Sequence, residues 1–194
     1  MRLFDDRPKL LARLRQCGPT ILSSWEGKVY RFVKPEYSTV ADQFAGKGAR
    51  FADGRWLLRG GRLATYTSLL PETALSEALT ANRYFGFPDE KSAPLVFVTA
   101  AARLCRVMDL RDGAVRQRLR LSEATIIRTD WRADNLAGHE SVTQAWGWAL
   151  GELGAEALLC RSAADPRGDN LIVFPANLSG KSRLTVFNQI EWPR

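Results

Sequence analysis

The residues best suited to chemistry in this sequence are arginines and one isolated glutamate. Arg50, Arg55, Arg59 and Arg62 fall within thirteen positions of a glycine-containing stretch. The planar guanidinium fork matches a phosphate better than a lysine ammonium does. Arg31 sits among Tyr30, Phe32 and Val33 on an extended segment, where a half-buried arginine requires an anionic or carbonyl partner. That partner is either a ligand or a structural salt bridge. Glu77 lies in a helical pattern, and its neighbours at i±3 and i±4 are Thr73, Ala74, Thr80 and Ala81. None is a cation, so no local ion pair forms on the helix, and the alanines leave room for a ligand. The 28 basic residues against 21 acidic give a net charge of +7. That excess favours a polyanion, a dinucleotide or an acidic partner, or it is a solvated charged face.

Several reaction classes lack their parts. A serine hydrolase requires a GxSxG elbow and a histidine partner, and the sequence has no such elbow and only His139. His139 precedes a helix start, where a surface or capping role outweighs catalysis. There is no GxxxxGK[ST] loop, and Gly46-Lys47-Gly48 is too short for a dinucleotide fingerprint. Cys17, Cys105 and Cys160 are odd in number and far apart, which argues against a disulfide framework or a zinc site. They read as small core or surface residues.

The elements that must position these residues follow from pattern. Leu10, Leu11 and Leu14 predict a short helix over Pro8 to Arg15, ended by Gly18-Pro19. Lys28 to Val33 reads as a strand, Tyr37 to Arg62 as a long loop with short ordered pieces, and Leu63 to Ser68 as a second strand. Pro71 opens a helix through about Tyr84. Leu95 to Leu110 is one bent strand or two, broken at Asp112-Gly113. Val142, Ala145, Trp146, Ala149, Leu150 and Leu153 repeat at helical spacing behind the capping-box pair Ser141 and Gln144. Trp146 belongs to that apolar face, and Trp148, displaced from it, receives no site role. Ala157 to Ser162, Asn170 to Phe174 and Leu184 to Trp192 are further strands. The sum is a single α+β domain with mixed strands and flanking helices, without the alternation of a doubly wound fold. The charged start of the chain, lacking a long apolar run, predicts a protein that stays in the cytoplasm, with no membrane contact.

Four segments in order resemble a known family: Val29-Tyr30-Arg31, the run GARFADGRW from Gly48 to Trp56, ATYTS from Ala64 to Ser68, and ETALSE from Glu72 to Glu77. Thr129-Asp130-Trp131, Gly138-His139, Arg161-Ser162-Ala163 and Asn170 to Phe174 extend the likeness. Together they are similar to the RES domain, named for its Arg, Glu and Ser. The resemblance runs from about Trp25 to Asn188, with a helical lead-in over residues 1–24 and the domain over 25–190. One departure stands out: the family's GGRWN appears as Asp53-Gly54-Arg55-Trp56-Leu57, which puts the loop geometry in question.

The resemblance implies a fold similar to bacterial ADP-ribosylating toxins, NAD as substrate with no metal, and an Xre-type antitoxin as partner. It makes the chain a toxin cleaving NAD at the nicotinamide–ribose bond, with Glu77 and Arg31 catalytic. Arg31, Arg55, Tyr66 and Ser162 then bind the dinucleotide: the arginines at its phosphates, Tyr66 against the nicotinamide ring, and Ser162 on the ligand or bracing Glu77. Local alternatives are ordinary strand packing for Tyr66 and a turn serine for Ser162. The acceptor is open between phosphate, water and a protein side chain, which correspond to a phosphorylase, a glycohydrolase and an ADP-ribosyltransferase. Two other classes stand beside these. An inactive binding module rests on Leu57 alone. A basic nucleic-acid-binding domain fits the charge but lacks a helix-turn-helix, RNP or zinc signature, so no direct nucleic-acid binding is expected.

Overall fold

The computed structural model describes residues 1–192. Its strands are β1 (Ser23–Val33), β2 (Thr65–Ser68), β3 (Leu95–Asp109), β4 (Ala157–Arg161), β5 (Asp169–Val173) and β6 (Arg183–Trp192). The long β3 organises them. One edge pairs antiparallel with β1, from Val33↔Val96 to Ser23↔Val107. β6 runs antiparallel along Leu95 to Arg103, and β4 joins in parallel at Val107 to Asp109. β5 lies between β4 and β2, antiparallel to both, and β2 returns to β1 through Tyr30↔Ser68. The pairings therefore close on themselves, β1–β2–β5–β4–β3–β1. Closure satisfies backbone groups that would otherwise form open edges.

The helices are α1 (Arg7–Cys17), α2 (Val40–Gln43), α3 (Pro71–Tyr84), α4 (Gly113–Leu119), α5 (Glu123–Arg128), α6 (Trp131–Leu136) and α7 (Val142–Leu153). Helix α7 carries both halves of its capping box, Ser141 with Gln144. Its apolar face, with Trp146 2 % exposed, meets Leu10 and Leu14 of α1 in the main core. Trp148 packs at the margin of that core, with the Arg7 guanidinium 4.7 Å from its ring centre. The domain is thus α+β, a mixed sheet with flanking helices.

Pattern and structure differ at β1 and in the stretch from Asp112 to Leu136, where the structure has three short helices that the pattern does not predict. β1 begins at Ser23 rather than Lys28 because its first half continues to pair with β3 beyond the aromatic run. The break at Asp112-Gly113 is a helix start: Asp112 accepts from the Ala114 N–H and opens α4. Ser122 and Asp130 cap α5 and α6 in the same way. No described helix is long and apolar enough to cross a membrane.

Candidate active site

The site is built outward from the tight loop Gly54 to Leu57. Gly54 and Leu57 exchange backbone hydrogen bonds at 3.0 and 3.2 Å. The buried Gln144 amide on α7 donates to both of their carbonyls, at 3.0 and 3.3 Å. Two glycines permit this docking. A Cβ on Gly147 would stand 1.8 Å from the Trp56 carbonyl oxygen, and one on Gly54 would stand 2.5 Å from the Tyr66 hydroxyl. That hydroxyl accepts from the Trp56 N–H at 2.9 Å, and burial pushes its pKa up. Leu57 is buried in the main core. The loop is thus held by backbone and Gln144 contacts, and Leu57 in place of asparagine is accommodated by apolar packing.

The four clustered arginines separate. Arg62 packs on α7, where Nη1 donates to Asn177 and Nη2 pairs with Glu152 at 2.7 Å. Arg50 and Arg59 are exposed to solvent. Only Arg55 enters the cleft, anchored where its Nη1 donates to the Ile126 and Thr129 carbonyls at 3.0 and 2.9 Å. Burial lowers its pKa, and the nearby Glu77 charge opposes that shift. Arg31 donates through Nη1 to the Gln43 carbonyl, its Nε has no partner, and burial lowers its pKa to about 10. The partner foreseen for Arg31 is therefore a carbonyl and not a salt bridge. Among the described residues neither arginine forms an ion pair.

Glu77 is half-buried on α3 and is not unpaired. Its Oε1 accepts from the Ser162 hydroxyl at 2.6 Å and from the Asn170 amide. Both donors are themselves oriented. The Ser162 oxygen accepts from the Ala164 and Asp165 N–H groups at 3.0 Å each, which leaves its single proton for the carboxylate. The Asn170 oxygen accepts from the Ser68 hydroxyl at 2.7 Å, which turns the NH2 toward Glu77. The loop between β4 and β5 is fastened to α3, where Thr73 donates to Asp165 at 2.6 Å. A side chain at Gly168 would collide with Thr73, its Cβ lying 1.8 Å from the hydroxyl. No protein group donates to Glu77 Oε2 among the described residues.

Arg31, Arg55, Tyr66 and Glu77 line one cleft of about 310 Å³, and Ser162 stands behind Glu77. A second cavity of about 300 Å³ adjoins it, sharing Arg31, Gly54 and Tyr66 as common wall. Both fall within the size of small-molecule sites. Cys160, Trp131, Arg132 and Asn170 also line the first cleft. Burial pushes the Cys160 thiol up, so it stays protonated. His139 is exposed and lies outside this cleft. Asn170, Trp131 and Arg132 are the residues that sequence reasoning does not assign. The signal for Asn170 is a buried amide at the head of the apolar run LIVF, directly after Asp169.

A mixed sheet with flanking helices thus carries two arginines and a braced glutamate in one cleft. The chain superimposes on a chain of the M. tuberculosis MbcT-MbcA toxin-antitoxin complex with a TM-score of 0.72. The alignment covers 94% of this chain and 91% of that one at 21% identity, a likeness of fold. The model of the RES domain matches residues 28–192, and the chain belongs to that family. A search of curated proteins by sequence found no match.

Proposed function

We propose that this protein is the toxin of a toxin–antitoxin pair and that it cleaves NAD at the nicotinamide–ribose bond, as a phosphorylase or glycohydrolase. The observation that carries the reading is the asymmetric environment of Glu77. One carboxylate oxygen is held by Ser162 and Asn170, and the other is left to a cleft that also presents two guanidinium groups without ion-pair partners.

The residues fit the substrate's chemistry. The unpartnered Arg31 Nε and the forked Arg55 suit the two phosphates of a dinucleotide, whose negative charge replaces the missing carboxylates. When the C–N glycosidic bond breaks, its electron pair moves to the nicotinamide nitrogen. The leaving group departs neutral and needs no general acid. Positive charge develops on the ribose, and a fixed carboxylate oxygen stabilises it electrostatically. Glu77 Oε2 performs that role, and Ser162 and Asn170 hold the carboxylate still. Tyr66, its hydroxyl tied to the Trp56 N–H, offers its ring as a wall for the nicotinamide.

A protein that drains NAD from its own cell requires restraint. The structurally similar chain is described in a toxin–antitoxin complex, which supports an antitoxin as partner; an Xre-type antitoxin covering the cleft mouth would supply that restraint. The exposed Arg50 and Arg59 would favour an acidic segment of that partner. The test is incubation of purified protein with NAD, with and without phosphate, and resolution of products by mass. Free nicotinamide with ADP-ribose or its phosphorylated form supports the reading. Unchanged NAD under both conditions refutes it.

A further inference from the structure

Two further arginines line the cleft: Arg161, whose guanidinium is paired with Asp169 at 3.1 Å, and Arg132, which the proposed mechanism does not use. Its Cζ stands 4.3 Å from the centre of the Trp131 ring and 5.0 Å from that of Tyr84. Among the described residues its side chain forms no hydrogen bond and no ion pair. Tyr84 is itself fixed, its hydroxyl donating toward both oxygens of the Asp130 carboxylate at 3.2 Å, and Asp130 caps α6 through the Ala133 N–H. Cation–π contacts of this kind orient a guanidinium without neutralising it. The side chain is half-buried, so its charge has lost part of its hydration without forming an ion pair among the described residues. Burial lowers the Arg132 pKa and the like charge of Arg55 adds to the effect, while Tyr84, Asp130 and Glu77 oppose it.

Arg55 and Arg132 line the same cleft as like charges that repel one another, and an anion lying between them relieves that repulsion. Both forks retain free N–H groups: Arg55 is anchored through Nη1 alone, and Arg132 makes no hydrogen bond among the described residues. We infer that Arg132, held by Trp131 and Tyr84, is a substrate-binding residue that joins Arg55 in gripping the diphosphate of the dinucleotide. The inference rests on the NAD reading for the identity of its ligand. Three guanidiniums then serve two phosphates, with Arg31 placed at the wall shared with the adjoining cavity.

The test separates the diphosphate from the rest of the ligand. Calorimetric titration with ADP and with adenosine is carried out on the wild-type protein, Arg132→Ala and Arg132→Lys. The wild type should bind ADP at least tenfold more tightly than adenosine. Arg132→Ala should lose at least tenfold in ADP affinity with adenosine affinity unchanged. Arg132→Lys should recover only part, because it keeps the charge and lacks the planar fork. If Arg132→Ala does not fold, the uncharged but longer Arg132→Gln carries the same expectation. Equal ADP affinity in a folded variant, an equal loss for adenosine, or no preference for ADP in the wild type would each overturn the clamp. NAD turnover by the wild type is measured beside it. Absent turnover with ADP discrimination intact refutes the proposed reaction alone, and normal turnover with Arg132 silent in binding refutes the clamp alone.

Discussion

Replacing Glu77 with Gln separates the charge of the carboxylate from its shape. The Ser162 hydroxyl and the Asn170 amide both donate to Oε1. A glutamine oxygen can occupy that position and accept both, with its NH2 group turned to the cleft where Oε2 stood. The variant therefore keeps the bracing and loses the negative charge facing the ribose. Loss of one preorganised electrostatic group costs about a hundredfold or more in kcat, equivalent to roughly 2.7 kcal/mol. KM should change little, because the charge acts mainly in the transition state. Stability is not untouched, as it would be for an exposed, unpaired glutamate. Two charge-assisted hydrogen bonds become neutral ones, a loss of about 1 kcal/mol each before discounting for the hydration that a half-buried charge retains. A net loss of about 1 kcal/mol lowers the melting temperature of a chain this long by about 2–4 °C. Glu77→Asp should be worse in both respects, since one methylene less withdraws the carboxylate from Ser162, Asn170 and the cleft together. The assay is NAD consumption at saturating and limiting substrate, with thermal melts on the same samples. A well-folded Glu77→Gln protein with wild-type turnover would refute the role given to Glu77.

Other outcomes follow from single contacts. Arg31→Ala and Arg55→Ala should each weaken NAD binding at least tenfold by titration, and Arg55→Ala should also melt lower because the Ile126 and Thr129 carbonyls lose their donor. Gly147→Ala places a Cβ 1.8 Å from the Trp56 oxygen; the Trp56 loop must move, and a loss of about 3 kcal/mol or more in denaturant unfolding is expected. Burial alone would raise the pKa of Glu156, but donors from Ser182, Cys105 and Ser179 hold it below its ordinary value. Its stabilisation is therefore present above the unfolded value of about 4.3 and is lost as pH falls through the lower folded value. Glu156→Gln should flatten the acid limb of a stability–pH curve, and an unchanged limb would contradict the argument. Co-expression with an antitoxin encoded beside it should give a complex without NAD turnover, and full activity in that complex would refute occlusion.

How far the sequence disclosed this arrangement depends on how local each signal was. Helix α7 was legible because six apolar residues keep one period and Ser141 and Gln144 mark its start. Helix α3 was legible from Pro71 to Tyr84 because proline suits a first turn. Helices α4 to α6 were not, since runs of six or seven residues are too short to display a period; their capping residues Asp112, Ser122 and Asp130 were the available clue. In the site, Arg31, Arg55, Tyr66 and Glu77 could be named because they fall in short recognisable segments. Asn170 could not, because its contact with Glu77 arises from strand pairing across β2, β5 and β4. The fate of Arg62 was equally hidden: its partners Glu152 and Asn177 lie 90 and 115 residues away.

The order in which the chain supplies the cleft bears on how such a protein is made. Arg31, Arg55 and Glu77 are translated early, whereas Ser162 and Asn170 come late, and β5 must insert between β2 and β4 before Asn170 reaches Glu77. A nascent chain that has emerged only as far as α7 has the arginines and the glutamate but neither donor that fixes the carboxylate. Under the proposed function, a ribosome-bound chain is harmless until Asn170 has left the exit tunnel.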